Sequence, residues 1–438
     1  MSYLTTDQEL SRDSYYAASA PRTESFAPLE ADADCDVAIV GGGLAGLSAA
    51  IELADRGFEV TVLEAREVGS GASGRNGGQA IHGLACDQQT IEQQLGMADA
   101  RRVWDATLEA LDLIQQRCTR FGIDCEWRSG YLGVAVNDAK ARALQASADH
   151  LARHYDYPMT RIHRDEIGRW ITSPRYVSAV HDPRSGHLHP LKYTLGLARA
   201  ASSLGVVIHE QSPVVELIAG AKPALRTARG ILKARQVLLA GNVYLQGVAP
   251  PLARRIMPVG TYIIASEPLA EGMAESLIPS GSAVCDNNFV LDYFRPSRDG
   301  RMIFGGRASY ATRTPSHLAE SMRQRMVSVF PQLGDVKVAH AWGGFVDVTI
   351  NRAPDFGRLP LSAGSGSSNV YYLQGFSGHG VALTGIAGKL VAEAMAGDAS
   401  RLDTFARLQH RPFPGGPLRM PALVLGMAWY RLRDALAR

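Results

Sequence analysis

What constrains this chain most is the run DVAIVGGGLAGLSAAIELADRGFEVTVLEA at residues 36–65. An apolar run meets a glycine cluster, an alanine-rich segment follows, and a second apolar run ends on an acid. That order predicts strand, tight turn, helix and strand, the opening of a parallel βαβ unit. Gly41, Gly43 and Gly46 form G-x-G-x-x-G, and Glu64 stands 18 residues beyond Gly46 at the end of the second strand. The first glycine makes the turn, the second lets backbone approach a pyrophosphate, and the third lets helix and strand pack closely. The helix N-terminus then faces the phosphates. Glu64, followed by Ala65 and Arg66, is placed to meet a ribose diol. A bare structural turn is the alternative, and it leaves strand, helix, second strand and acid to coincidence. The motif serves FAD and NAD alike.

Composition sets the outer limits. With 438 residues and 46% hydrophobic content, the chain can bury a full core and should make two or three domain-sized units. Lys+Arg 45 against Asp+Glu 43 gives a formal net charge of +2, which provides no field to draw in nucleic acid or an anionic membrane. The five cysteines, Cys35, Cys86, Cys118, Cys125 and Cys285, show no CxxC pair and no spacing with histidine that would hold a metal. A scattered, odd set suits a reducing compartment. The start lacks the order of a signal peptide, and no run approaches the roughly 20 apolar residues of a membrane span, so a cytoplasmic protein is expected. The tail PLRMPALVLGMAWYRLRDALAR at 417–438 reads as an amphipathic helix packed on its own domain, with contact to a membrane surface as the alternative.

Along the chain, residues 1–33 read as a polar arm. Helical periodicity covers 99–121, 139–154, 190–204 and 380–396, and short strands are predicted at 206–209, 213–218 and 235–239. From 256 to 310 and again at 336–350 the pattern changes to apolar or aromatic runs broken by Gly, Pro and Asp, which predicts an antiparallel sheet. The expected fold class is α/β in two interlaced domains. A Rossmann-like nucleotide-binding domain takes 34–110, 189–252 and 351–410; a substrate domain takes 111–188 and 253–350; 411–438 is a tail helix.

Two further loops carry chemistry. GSGASGRNGGQ at 69–79 combines small residues with Ser73 and Arg75, which can meet phosphate, and with Asn76 and Gln79, whose amides can meet ring carbonyls. Gly77 and Gly78 let a planar ring lie against backbone. GFSGHGVALTGIAGKLVAEAM at 375–395 places Gly378, His379, Gly380 and Val381 at the start of an apolar helix, where free N–H groups and the positive dipole end would stabilise a reduced flavin. His379 either lines the pocket or is satisfied by neighbouring backbone. On the second-domain strands, Tyr262, Tyr293, Arg295, Trp342 and Arg352 are candidates for lining a pocket, where Arg295 or Arg352 could take a carboxylate. Plain sheet core, and surface ion pairs for the arginines, are the alternatives.

The chain resembles the FAD-dependent oxidases of the D-amino-acid oxidase, glycine oxidase and sarcosine oxidase superfamily, and within it the bacterial gamma-glutamylputrescine oxidoreductases. SYYAASA at 14–20, CDVAIVGGG at 35–43, GASGRNGGQ at 71–79, SGHLHPL at 185–191, AGNVYL at 240–245, LDYFR at 291–295, GFSGHGV at 375–381 and FPGGPLR at 413–419 carry the likeness. It implies FAD at Gly41, Gly43, Gly46, Glu64, Arg75, Asn76, Gly77, Gly78 and Gln79, with Val215 on the adenine side and Gly378, His379 and Gly380 by the ring; Gly241 of the AGNVYL stretch joins this expected set. Sarcosine oxidases hold FAD through a C-terminal cysteine, whereas nothing after Cys285 can do so here, so noncovalent attachment is implied. The chain departs from its relatives at Arg307 and Asp347, which points to a retuned substrate pocket. The implied activity is oxidation of an amine, with Tyr293, Trp342 and His379 around the reacting carbon and Tyr262, Arg295, Arg307 and Arg352 binding substrate. Oxygen or another acceptor takes the electrons. An amino acid oxidase or a quinone-linked dehydrogenase is the alternative enzyme, and a flavin-binding protein without turnover is the alternative class.

Overall fold

The computed structural model describes residues 3–288, 290–309, 315–359 and 369–414. Its centre is the strand Ala33–Val40, whose second half is buried on both faces, as a central parallel strand requires. It pairs in parallel with Val60–Leu63 on one side and Ile231–Leu239 on the other. The first sheet runs Asp355–Arg358, Val370–Gln374, Ile231–Leu239, Ala33–Val40, Val60–Leu63, Val207–His209, with the hairpin Glu216–Ile218 and Ala224–Arg226 appended. Only Asp355–Arg358 and the hairpin pair antiparallel. Helix Leu44–Ala54 is buried nearly all round because it sits between this sheet and helix Gly380–Met395. A side chain at Gly388 would stand 2.6 Å from the Ala49 nitrogen, so that glycine sets how closely the two helices approach. Arg117, on helix Met97–Phe121, ties a third helix to them through Ser48 and Glu52.

The second sheet runs Val338–Val348, Met257–Ser266, Met302–Ser309, Tyr293–Pro296, Ala283–Asp286, Arg128–Ala135, Ser178–His187, Gln79–Ala80, and Thr160–Ile162 pairs with Ser178–His187. It is antiparallel except where Ala283–Asp286 lies parallel to Arg128–Ala135. The chain therefore passes from the first sheet to the second and back, twice over. The expected cut at residue 110 falls inside the continuous 25-residue helix Met97–Phe121; that helix packs on helix Gly380–Met395 beside the first sheet. Strand Ser178–His187 was not anticipated: it contains Pro183, which reads against a strand, and its register on Arg128–Ala135 shifts beside the proline, where a bulge accommodates it. Within the arm, Tyr3–Ser11 and Tyr15–Ser19 are helices. Among the described residues no single helix is long and apolar enough to cross a membrane. The tail expected at 411–438 lies almost wholly outside the described residues.

Candidate active site

The carboxyl ends of four parallel strands, Ala33–Val40, Val60–Leu63, Ile231–Leu239 and Val370–Gln374, meet at one cavity of about 580 Å³. This is where an open α/β sheet binds its ligand. Gly41 makes the turn with φ +112°, and a Cβ there would strike the Ala240 carbonyl at 2.7 Å. Gly43 lies under Ser73, whose Oγ would be 2.6 Å from a Cβ and instead accepts the Leu44 N–H at 2.9 Å. Gly46 lets the helix sit on the turn, its Cβ position being 2.0 Å from the Gly41 oxygen.

Glu64 lies beneath the turn. Its two oxygens accept the Gly42 N–H at 2.7 Å and the Arg66 N–H at 2.9 Å. Burial pushes its pKa up, opposed by those two amides. Ala65, Arg66, Ser73, Asn76, Val215, Gly241, Gly378, Gly380 and Val381 line the same cavity. The amino end of helix Gly380–Met395 thus opens onto it, offering N–H groups that no intrahelical carbonyl can take. A glycine cradle, two helix N-termini and the partly buried Glu64 carboxylate are the parts an extended dinucleotide requires, and the cavity contains them all.

Other nominated residues stand elsewhere. Arg75, expected at a phosphate, is buried and bound to Asp7 through both carboxylate oxygens at 2.8 Å and to the Gly343 carbonyl at 3.0 Å. The acid is contributed by the N-terminal helix Tyr3–Ser11. Asn76 lines the cavity and also staples its own loop, donating to the Ala72 and Ser73 carbonyls and accepting the Gly78 N–H. Gln79 donates to the Val284 and Phe294 carbonyls of the second sheet, and Gly77 packs against the Tyr293 ring. Gly78, at φ +72°, lies by the Leu188 carbonyl. His379 faces the Ile81 and His82 carbonyls at 3.2 and 3.0 Å, and burial lowers its pKa to about 4. Its ring is held by these carbonyls, while its neighbours Gly378 and Gly380 line the cavity.

The substrate set is divided in the same way. Tyr262 and Trp342 are wholly buried sheet core. The Trp342 indole donates to the Arg75 carbonyl at 2.9 Å, and its ring meets Tyr16 edge-on at 5.3 Å. Arg295 is not a free carboxylate clamp: Nε donates to the Gly77 carbonyl at 2.8 Å, and Nη2 to the Tyr16 hydroxyl and the Leu188 carbonyl at 3.0 Å each. Arg352 occupies a left-handed turn at φ 58° beyond the strand Val338–Val348. Arg307 is on strand Met302–Ser309, its side chain outside the described residues. Tyr293 is half-buried between Gly77 and Gly305.

Sequence reasoning missed Asn242, Tyr244 and Gln8, all of which line the cavity. Tyr244 sits in the AGNVYL stretch, which was a signal; Gln8 belongs to a polar arm that gave none. Asp347, noted in the sequence as unusual, also lines the cavity and is fully enclosed. Its carboxylate accepts the amides of Gly375 and Phe376 and a hydrogen bond from Asn242, while burial raises its pKa to about 7.

Residues 36–394 match the family model described as FAD dependent oxidoreductase. The chain is 42% identical over 425 residues to gamma-glutamylputrescine oxidoreductase of Escherichia coli K12, covering 97% of this chain and 98% of that protein. It is 39% identical over 428 residues to the probable oxidoreductase OrdL of Haemophilus influenzae, covering 96% and 97%. The glycine oxidase structure from Geobacillus kaustophilus superposes with a TM-score of 0.72 at 20% identity, over 86% of this chain and all of that one; at that identity it shows the fold. A dinucleotide cradle at the head of the first sheet and a family match spanning both sheets lead to one conclusion: the chain belongs to the FAD-dependent oxidoreductase family.

Proposed function

We propose that this protein oxidises a gamma-glutamylated diamine, of which gamma-glutamylputrescine is the representative, at the carbon bearing its primary amine. The observation that carries the reading is the end-to-end identity of 42% with the Escherichia coli enzyme of that name. Bound FAD supplies the hydride acceptor, and the imine product is hydrolysed by water. The chain's own residues hold and orient. Gly41, Gly43 and the amino end of helix Leu44–Ala54 receive the pyrophosphate, Glu64 the ribose, and the amino end of helix Gly380–Met395 faces the ring.

Arg295 supports this substrate class over a free amino acid. An α-amino acid carries its carboxylate beside the reacting carbon and needs an unpaired cation there, whereas Arg295 is bound to four groups of its own chain. A gamma-glutamylated amine carries its carboxylate remotely and makes no such demand. Attachment of FAD is noncovalent in this reading, since among the described residues no cysteine or histidine lines the cavity. Oxygen or another carrier accepts the electrons, and a reducing, cytoplasmic setting suits five cysteines without a disulfide.

Anaerobic bleaching of the flavin by gamma-glutamylputrescine, putrescine, glycine, sarcosine and pipecolate tests the substrate. The first should react fastest, because remote contacts raise the rate by positioning the reacting carbon; a preference for any free amino acid overturns the assignment. Peroxide measured under air separates an oxidase from a quinone-linked enzyme. Mild acid should release the yellow colour from the protein, and colour kept in the pellet contradicts noncovalent attachment.

A further inference from the structure

The fold brings together two cysteines that look unrelated in sequence. Cys118 occupies the last turn of helix Met97–Phe121, and Cys125 follows in the segment before strand Arg128–Ala135. Between them the chain reverses at Gly122, left-handed with φ 61°, and the Cys118 carbonyl accepts the amides of Gly122 and Ile123. The two sulfurs stand 3.4 Å apart as one thiol hydrogen-bonds the other. Cys118 is partly open to solvent, whereas Cys125 is 2% exposed and belongs to the main core. Neither lines the cofactor cavity.

The geometry is that of an attacking and a resolving thiol. Disulfide sulfurs lie about 2 Å apart, so this pair, at 3.4 Å, must close by about 1.4 Å, with a glycine turn between the two residues to absorb the change. We propose that Cys118 and Cys125 form a peroxide-responsive dithiol that closes to an intramolecular disulfide, with Cys118 oxidised first. The Cys118 thiolate attacks one oxygen of hydrogen peroxide; the S–O bond forms, the O–O bond breaks, and the departing hydroxide takes the proton lost by the thiol to become water. The Cys125 sulfur then attacks the sulfenic sulfur; the S–S bond forms, the S–O bond breaks, and a second water leaves with the Cys125 proton. Two thiols and one peroxide give one disulfide and two waters, the sulfurs losing the two electrons that the peroxide gains.

Position gives the bond a consequence. The Cys125 carbonyl accepts the His189 N–H at 2.7 Å. The His187–His189 segment in turn holds the N-terminal arm, because the Leu188 carbonyl receives Arg295, which also binds Tyr16, and His189 faces Ser19 at 3.0 Å. Oxidation therefore fixes the turn on which the arm's seat hangs.

The test is peptide mapping and intact mass of the native holoprotein titrated with hydrogen peroxide. The expected result is a Cys118–Cys125 linked peptide, a mass loss of two hydrogens and full reversal by a dithiol reductant. The Cys118→Ser protein should show no such loss, and the Cys125→Ser protein should stop at a sulfenic acid on Cys118 that dimedone traps. Oxygen added to either sulfur without a cross-link, a cross-link through Cys35, Cys86 or Cys285, or five thiols still titratable after peroxide would each overturn the proposal. Should Cys125→Ser fail to fold, the mapping of the unaltered chain still decides.

Discussion

Glu64 shows how much a single acid can be asked to do. Its oxygens accept two backbone amides within the glycine turn while it lines the cofactor cavity. Glu64→Ala should weaken FAD binding by about 1–3 kcal/mol, the scale of losing hydrogen bonds to a charged group, and should lower the melting temperature of the apoprotein because the turn loses its anchor. An unchanged dissociation constant in a fluorescence titration would show that the acid does not meet the ribose. Asp347 behaves differently, because burial holds its pKa near about 7. FAD is an anion, so a neutral Asp347 should receive it better: affinity should be tighter at about pH 6 than at about pH 8, and Asp347→Asn should flatten that difference. Titrations at the two pH values decide it, with Glu64, Arg66 and Tyr244 as the other ionisable groups on the cavity wall. The glycine turn and Glu64 were legible because local backbone demands are written in local residues. Arg75 was not, since its partner Asp7 lies 68 positions away.

At the scale of elements, the N-terminal helix Tyr3–Ser11 is the part that sequence reading undervalued. It has no apolar stripe to announce it, yet it delivers Asp7, 0% exposed, to Arg66, Arg75 and the Tyr244 hydroxyl at 2.8–2.9 Å. Tyr16 of the next helix binds Arg295 and packs on Trp342, two of the residues nominated for substrate. Removing one partner of a buried pair leaves the other charge uncompensated, so Asp7→Ala should cost about 3–5 kcal/mol of stability, read from urea unfolding. Deleting residues 3–11 should also speed FAD release, followed by recovery of flavin fluorescence. Equal release rates with and without the helix would reduce it to a surface ornament. Long helices were legible, their boundaries falling within two residues at Met97–Phe121 and Pro190–Ser203, because 3.6-residue periodicity survives over several turns.

For the whole molecule, pH acts through buried histidines. Burial lowers the pKa of His187 and His189 to about 3 and that of His379 to about 4. The unfolded chain takes up these protons near about pH 6.5, so their contribution is complete above that value and is lost as pH falls toward the folded pKa values. Each contributes a slope of roughly 1 kcal/mol per pH unit. Asp347, with its folded pKa raised, has the opposite sign in the window from about pH 7 to about pH 4. With three histidines set against one carboxyl, stability should fall by roughly 2 kcal/mol per unit between about pH 6 and about pH 5, and by roughly 3 in Asp347→Asn. Denaturant midpoints across that range check it; a flat profile contradicts it. The two-sheet plan was legible from the switch in hydrophobic period, but strand order was not, since nothing near residue 33 reveals that its neighbour is residue 232.

That order has a consequence for how the protein is made. The cofactor cavity needs the turn after residue 40, the loop after Leu239 and the helix that starts at Gly380. At a synthesis rate of about 5–20 residues per second, the ribosome requires roughly 20–70 s to pass from the first of these to the last. Throughout that interval the nascent chain exposes the edge of a half-built sheet and has no closed site for FAD. Capture of the flavin is thus a terminal event of biosynthesis, and a message cut short before Gly380 should yield colourless, insoluble chains.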